Sequence, residues 1–358
     1  MGDHRGPVRD RGSVDGVPST PDAPSIAAVR RILEGRGIAA DDAVPVFRPM
    51  PPGRSADLWR LTLPGREDSW VVKQPRERLR TAADWQVSTA RAEIEALFLE
   101  TMTDRALTPV PTLIGFDPTT RLLVTRHHGA PDWRPWSRLL HAGRVDPGHA
   151  RTLGLALGRI HAGSRDDPAL LERFRSDALF RDLRLQPLFH VTARAHPDLA
   201  DELALREEEL GSGPRALIHG DPDPANLLLD GTGTGLLLDG ECACRGAPHL
   251  DLALAQSHLL LAWAKQPQRA SAWLTAIRTL TDSWRTRMDA DGTAMVERAT
   301  RLLPALLLAA VDGLAPDPEL TAERCGRLRS FARTQLRVAP DRTDLLLRRF
   351  ERAMGDID

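Results

Sequence analysis

The spacing of apolar positions changes character several times along the chain. Ile26, Val29, Ile32 and Leu33 fall on one face of a helix, with Ser25 able to cap it and Gly35–Gly37 to end it. Residues 44–48, 57–63 and 69–73 are short and rich in Val, Leu and Trp, and Pro51-Pro52-Gly53 and Pro64-Gly65 separate them as turns, so they predict strands. Residues 87–105 predict a long helix with Ile94, Leu97 and Phe98 on one face, stopped by Pro109 and Pro111. A second strand pair, 112–116 and 121–126, turns at Asp117-Pro118. Residues 129–144, with Trp133 and Trp136, show no regular period. Beyond them helices are predicted at 149–161, 197–210, 248–265, 269–288, 294–311 and 320–333. One β island, 227–229 and 236–238, interrupts them across the turn from Asp230 to Gly235.

The pattern predicts an α+β chain of two lobes, a small antiparallel β lobe at 25–128 and a larger, mainly helical lobe at 129–340. The cleft between them is the expected ligand site. Residues 1–24 are polar and rich in Gly, Pro and Asp and read as a disordered tail, and 341–358 as a C-terminal tail.

Composition narrows the function. The chain has 358 residues, 48 basic against 49 acidic, for a net charge of −1. That balance argues against a dedicated nucleic-acid binder. No apolar run is long enough to span a bilayer, and the N-terminus lacks the apolar segment of a secretory signal. Cys242, Cys244 and Cys325 are an odd set without a disulfide framework, so a reducing, cytoplasmic setting is expected. Lys73 and Lys265 are the only lysines, and Asn226 is the only asparagine. Lys73 ends an apolar strand, and Asn226 sits in a His-Gly-Asp segment.

That segment is Leu217-Ile218-His219-Gly220-Asp221-Pro222-Asp223-Pro224-Ala225-Asn226, followed by Leu236-Leu237-Leu238-Asp239-Gly240-Glu241. An apolar strand delivers Asp221 and, five residues later, Asn226; a hairpin returns Asp239 and Glu241. Carboxylates converging at buried strand ends need a cation. A hard oxygen donor set suits Mg2+.

The segment resembles the aminoglycoside phosphotransferase and choline kinase-like family, whose pattern is H-G-D-x-x-x-x-N, an apolar strand, then D-x-D/E. Gly246-Ala247-Pro248-His249-Leu250-Asp251-Leu252-Ala253 is similar to the family's G-x-P-x-x-D-L-A. Trp70-Val71-Val72-Lys73 resembles the strand that supplies the nucleotide lysine. Periodicity does not choose among Glu93, Glu95 and Glu100 as its helix partner; the resemblance points to Glu93. Gly53-Arg54-Ser55 resembles the phosphate loop, and residues 121–128 the strand into the adenine hinge. There is no G-x-x-x-x-G-K-[ST] P-loop. A narrower likeness, through Lys73-Gln74, Trp85, Arg91 and Glu93, is to methylthioribose kinases, which carry Ser at the place of Asn226. Residues 133–146 and 181–197 are similar to actinobacterial phosphotransferases, some of which phosphorylate Ser or Thr of a precursor peptide.

The resemblance implies a bilobal protein-kinase-like fold and transfer of the γ-phosphate of Mg-ATP to a hydroxyl. It makes Asp221 the catalytic base. Lys73, Glu93, Gly53 and Ser55 would serve ATP, and Asn226, Asp239 and Glu241 would bind Mg2+. Asp251 would tie its helix to the catalytic loop, and His219 and His161 would be structural. The acceptor is expected to be a small molecule: an antibiotic, a sugar or an amino alcohol. The alternatives are a Ser/Thr kinase of a precursor peptide, with a protein partner, and an inactive kinase-like scaffold. The intact set Lys73, Asp221, Asn226 and Asp239 argues against the scaffold. A polyamine acceptor would want an acidic rim, for which Asp312, Asp317 and Glu319 are candidates.

Overall fold

A computed structural model describes residues 24–38, 44–129 and 131–355. Nearly all of the expected N-terminal tail, residues 1–23, lies outside the described residues. Helix α1 (Ile26–Gly35) starts at Ser25, whose Oγ accepts from the Ala28 N–H at 3.3 Å. Five strands follow: β1 (Val46–Pro49), β2 (Ala56–Thr62), β3 (Ser69–Pro75), β4 (Leu113–Asp117) and β5 (Leu122–Arg126). They form one antiparallel sheet in the order β1-β2-β3-β5-β4. Helix α2 (Arg91–Asp104) lies between β3 and β4 in sequence. It begins at Arg91 and not at Val87, because residues 87 and 88 give their carbonyls to the Arg91 side chain.

The period of two along the strands decides which face each residue serves. Trp59, Leu61, Trp70, Val72, Leu122 and Val124 pack with Val29, Ile32 and Leu33 of α1. The intervening positions face α2, and Leu123 packs there with Ala96 and Leu99. Lys73, beside Val72 and paired across the ladder with Leu123, is therefore on the α2 face.

The second lobe starts with β6 (Trp133–Pro135), α3 (Trp136–His141), α4 (Pro147–Ser164), α5 (Pro168–Arg173) and α6 (Asp177–Phe180). A π-helical segment, Arg181–His190, runs on into α7 (Val191–Ala195), and α8 is Ala200–Gly211. Pro187 inside that segment cannot donate a backbone hydrogen bond, and the ladder there is widened: the Val191 N–H reaches Gln186 O. Four short strands come next, β7 (Ala216–Ile218), β8 (Leu227–Asp230), β9 (Gly235–Leu237) and β10 (Cys244–Gly246). Strands β6, β8 and β9 form one small sheet, and β7 and β10 another. The chain then stays helical: α9 (Pro248–Lys265), α10 (Ala270–Arg285), α11 (Gly292–Asp312), α12 (Ala322–Val338) and α13 (Thr343–Met354).

Two expectations are corrected here. Residues 133–135, read as irregular, pair with β8, and Trp136 is wholly buried in the helical core. The C-terminal tail expected from 341 is helix α13 as far as Met354, with Leu346, Leu347, Phe350 and Met354 buried in the same core. Their spacing is helical, but the many charged residues between them hide it. Residues 356–358 lie outside the described residues. Among the described residues no helix is long and apolar enough to cross a membrane.

If α13 belongs to the core, Leu347→Ala lowers the unfolding free energy by about 2–5 kcal/mol in a urea titration. An unchanged midpoint would make the helix dispensable. His249, in the first turn of α9, gives a second test. It is 3% exposed and its Nε2 has no hydrogen-bond partner. Burial first, then Arg298, Arg301 and Arg215, pushes its pKa down to about 3. The unfolded chain binds this proton near pH ~6.5 and the folded chain does not, so its contribution to stability is present above that pH and is lost as pH falls toward about 3. His249→Gln is expected to lose less thermal stability on acidification than the wild type.

Candidate active site

Lys73 projects from β3 into a buried cluster of carboxylates. Its Nζ is 2.7 Å from Glu95 Oε2 and 3.5 Å from Glu241 Oε2, and it donates to Asp239 Oδ1. Burial alone would lower the lysine pKa, but Asp239, Glu95 and Glu241 outweigh it and hold the ammonium charged. Glu95 is 5% exposed, and burial pushes its carboxyl up to about 7 against the pull of Lys73.

The helix partner of Lys73 is thus Glu95. Glu93 faces outward, half exposed, and binds Arg121. Arg91, Ala92, Glu95, Ala96, Phe98, Leu99, Thr101 and Met102 are the buried residues of α2, and Glu93 is not among them. This overturns the expected Lys73–Glu93 pair.

Arg91 is the second cation of the cluster. It is fully buried, and its Nε donates to Glu241 Oε2 at 3.2 Å. Its other nitrogens donate to Ser55 O at 2.7 Å, Arg76 O at 2.6 Å, Val87 O and Ser88 O. One side chain therefore ties the phosphate-loop candidate, the end of β3, the start of α2 and the Asp-x-Glu turn together. Gly53 and Ser55 are in the turn between β1 and β2, as expected. Arg80 takes the Gly53 carbonyl at 3.0 Å and Arg91 takes that of Ser55.

The floor of the cleft is the loop after β7. Gly220 has φ +77, and a Cβ there would run into Cys242, so the sharp turn before Asp221 requires glycine. His219 Nδ1 accepts from the Asp221 N–H at 3.2 Å, so its Nε2 carries the proton and donates to Leu238 O at 2.8 Å. Asn226 Nδ2 donates to Asp221 O at 3.0 Å. The Asn226 backbone carbonyl accepts from the Leu238 N–H at 2.8 Å, which sets Asn226 alongside the residue before Asp239. Asp239 itself is left-handed, with φ +61, a conformation costing a non-glycine residue about 1 kcal/mol or more.

The sequence reading missed Arg184. It lies in the π-helical segment, buried, with one nitrogen 2.9 Å from Asp221 Oδ1 and another donating to Gly220 O. The nitrogen facing Asp221 is also 3.1 Å from Cys242 Sγ. Burial would raise the Asp221 pKa, but Arg184 and then Arg54 outweigh it and hold the carboxyl below its ordinary value. No period marks residues 181–190 in the sequence, and arginine is too common in this chain to stand out.

The donor set fits a hard divalent cation. Asp239 and Glu241 meet Glu95 with one oxygen each within 4.8 Å. Three carboxylates there face two cations, Lys73 and Arg91, so negative charge is in excess. Asn226 is on the floor loop and is bonded to Asp221. Of the cysteines, Cys242 and Cys244 are buried and burial pushes both thiols up, which suits packing and not metal binding.

A five-stranded sheet over a helical lobe, with a lysine facing a polar floor loop, is the plan of the protein-kinase-like phosphotransferases. The chain belongs to the phosphotransferase enzyme family, whose defining pattern matches residues 46–284. It is an O-phosphotransferase of that fold. Among solved structures, the macrolide 2'-phosphotransferase of Brachybacterium faecium is 16% identical, with 93% of this chain and 99% of that one covered, at a TM-score of 0.51. An amicoumacin kinase in complex with AMP-PNP, Ca2+ and Ami is 11% identical, with 88% and 95% covered, at 0.57. The aminoglycoside phosphotransferase of Alicyclobacillus acidocaldarius is 15% identical, with 94% and 97% covered, at 0.50. At these identities the likeness is one of fold. A comparison with curated proteins gives no match.

The position of Glu95 can be tested directly. Glu95→Gln should weaken nucleotide affinity by about an order of magnitude, and Glu93→Gln should leave it within about twofold. The reverse ranking would restore the Lys73–Glu93 pairing.

Proposed function

We propose that this enzyme transfers the γ-phosphate of Mg-ATP to a hydroxyl group of a small molecule. The observation that carries the reading is the contact of Lys73 with Asp239, whose neighbour Leu238 is bonded through its N–H to the Asn226 carbonyl of the Asp221–Asn226 loop. Phosphoryl transfer depends on positioning and charge neutralisation more than on covalent chemistry by the protein. In this reading Lys73 leaves Asp239 for the phosphates, held on course by Glu95. Asn226 and Asp239 hold Mg2+, and Glu241 is a further ligand through the oxygen it does not give to Arg91. The ion supplies charge neutralisation across the phosphate chain. Gly53 and Ser55 would line the phosphates, with their carbonyls already bonded to Arg80 and Arg91.

Asp221 is assigned to the acceptor hydroxyl. Arg184 fixes one of its oxygens and keeps the carboxyl ionised at neutral pH. An anion so held orients the hydroxyl and receives its proton as the new P–O bond forms and the bond from the γ-phosphorus to the β–γ bridging oxygen breaks, releasing ADP. The unpaired cysteines, two of them buried, support a reducing, cytoplasmic setting.

The test is incubation with Mg-ATP and a panel of hydroxyl compounds, including aminoglycosides, thiosugars, amino alcohols and Ser/Thr peptides. ADP release and the mass gain of one phosphate are read together. Transfer to a small molecule is expected, and transfer to peptides alone would replace that acceptor class. Asp221→Asn is expected to lower turnover about 10²–10⁴-fold, and Asp239→Ala to abolish the Mg2+-dependent reaction with the fold intact. Retained turnover in the Asp239 variant would sink the metal assignment.

A further inference from the structure

Past Asp221 the cleft opens into a cavity of about 530 Å3, a size common for small-molecule sites. Its long walls are apolar. Leu183 and Leu188 come from the π-helical segment, Leu254 and Leu261 from α9, and Leu306 and Ala309 from α11. The carboxylates that line it stand at its ends, and each has a basic partner. Asp221 has Arg184 at 2.9 Å, and Asp223 has His258 at 3.5 Å. At the far rim, Lys265 Nζ is 2.9 Å from Asp317 and 2.7 Å from Glu319, and His141 is 3.1 Å from Glu319. Asp312, the other candidate for an acidic rim, is taken by Arg329 at 2.6 Å and His196 at 2.9 Å and is not among the lining residues.

We infer that this pocket takes an acceptor whose hydroxyl is borne on an apolar body without multiple ammonium groups, and that Lys265, which together with His141 offsets the charge of Asp317 and Glu319, disfavours polyamines. The inference rests on the kinase reading for its placement beside Asp221. A polyamine entering here would meet carboxylates already paired and the Lys265 ammonium itself, a repulsive element built into the site. An apolar body instead leaves water for the leucine walls, which is favourable in proportion to the area covered. Of the chain's two lysines, Lys73 is in the nucleotide cluster and Lys265 is in this rim.

The test measures binding by calorimetry, apart from turnover. Mg-ATP binding to the full chain is measured first; its absence would count against the kinase reading and leave the acceptor result intact. The wild type is then titrated with octyl β-glucoside, whose sugar hydroxyls are carried on a neutral apolar chain, and with kanamycin, a polyamine. Octyl β-glucoside is expected to bind with a Kd below about 1 mM and kanamycin at least about tenfold more weakly. Lys265→Met, which frees Asp317 and leaves Glu319 with His141 alone, is expected to tighten kanamycin binding about tenfold, and Lys265→Arg to leave it weak. Kanamycin binding to the wild type more tightly than octyl β-glucoside overturns the inference. So does a folded Lys265→Met protein with no gain in kanamycin affinity. Where Lys265→Met does not fold, the two wild-type titrations decide alone.

Discussion

The site hangs on one buried carboxylate. Asp251, fully excluded from solvent on α9, accepts from the His219 N–H at 2.7 Å and the Gly220 N–H at 2.8 Å. Its third partner is His161 Nε2 of α4, at 3.0 Å. The proton on that nitrogen is settled one step further out, because Trp284 Nε1 of α10 donates to His161 Nδ1 at 2.9 Å. A carboxylate so deep is tolerable only with these donors in place. Three helices of the large lobe therefore fix the backbone just before Asp221. Any shift of the loop strands a charge in the core, so the loop's position is enforced by the lobe as a whole.

A second constraint works from above. Arg91 and Lys73 are the only cations in contact with the Asp-x-Glu turn among the described residues, and both come from the small lobe. The lower lobe brings most of the negative charge and the upper lobe brings the positive. Their attraction holds the lobes in register at the depth where the phosphate chain would lie. Arg184 plays the matching part on the acceptor side, since it belongs to the large lobe and fixes Asp221 laterally.

The sheet was legible because one face of β2 and β3 is buried against α1, which leaves Trp59, Leu61, Trp70 and Val72 at alternate positions. The floor loop was legible because its residue types and spacing are both unusual. Glu95 was not, for a definable reason. Helix α2 is buried on two sides, with Phe98 in the large core and Leu99 in the cluster under the sheet. Apolar residues then run around most of its circumference, and no single stripe remains to show which glutamate points inward. Arg184 was hidden by Pro187 and the π-helical ladder, which remove the 3.6-residue period on which such readings depend. Helix α13 was hidden by its charged residues, Asp344, Arg348, Arg349, Glu351 and Arg352, which outnumber the four residues that pack.

The double burial of α2 also bears on how the two lobes can move. Phe98 stands edge-on to His219, ring centroids 5.4 Å apart, and its ring closes on Gly240, where a Cβ would find no room. The helix is thus seated on the catalytic loop, although in sequence it belongs to the small lobe. A cleft that opens by rocking must pivot near this contact, because prising Phe98 from Gly240 would expose core on both sides. The sheet with α1 is then the swinging part, and α2 is the axle. Lys73 sits close to that axle, so it sweeps a short arc, while the outer strands and their turns travel furthest.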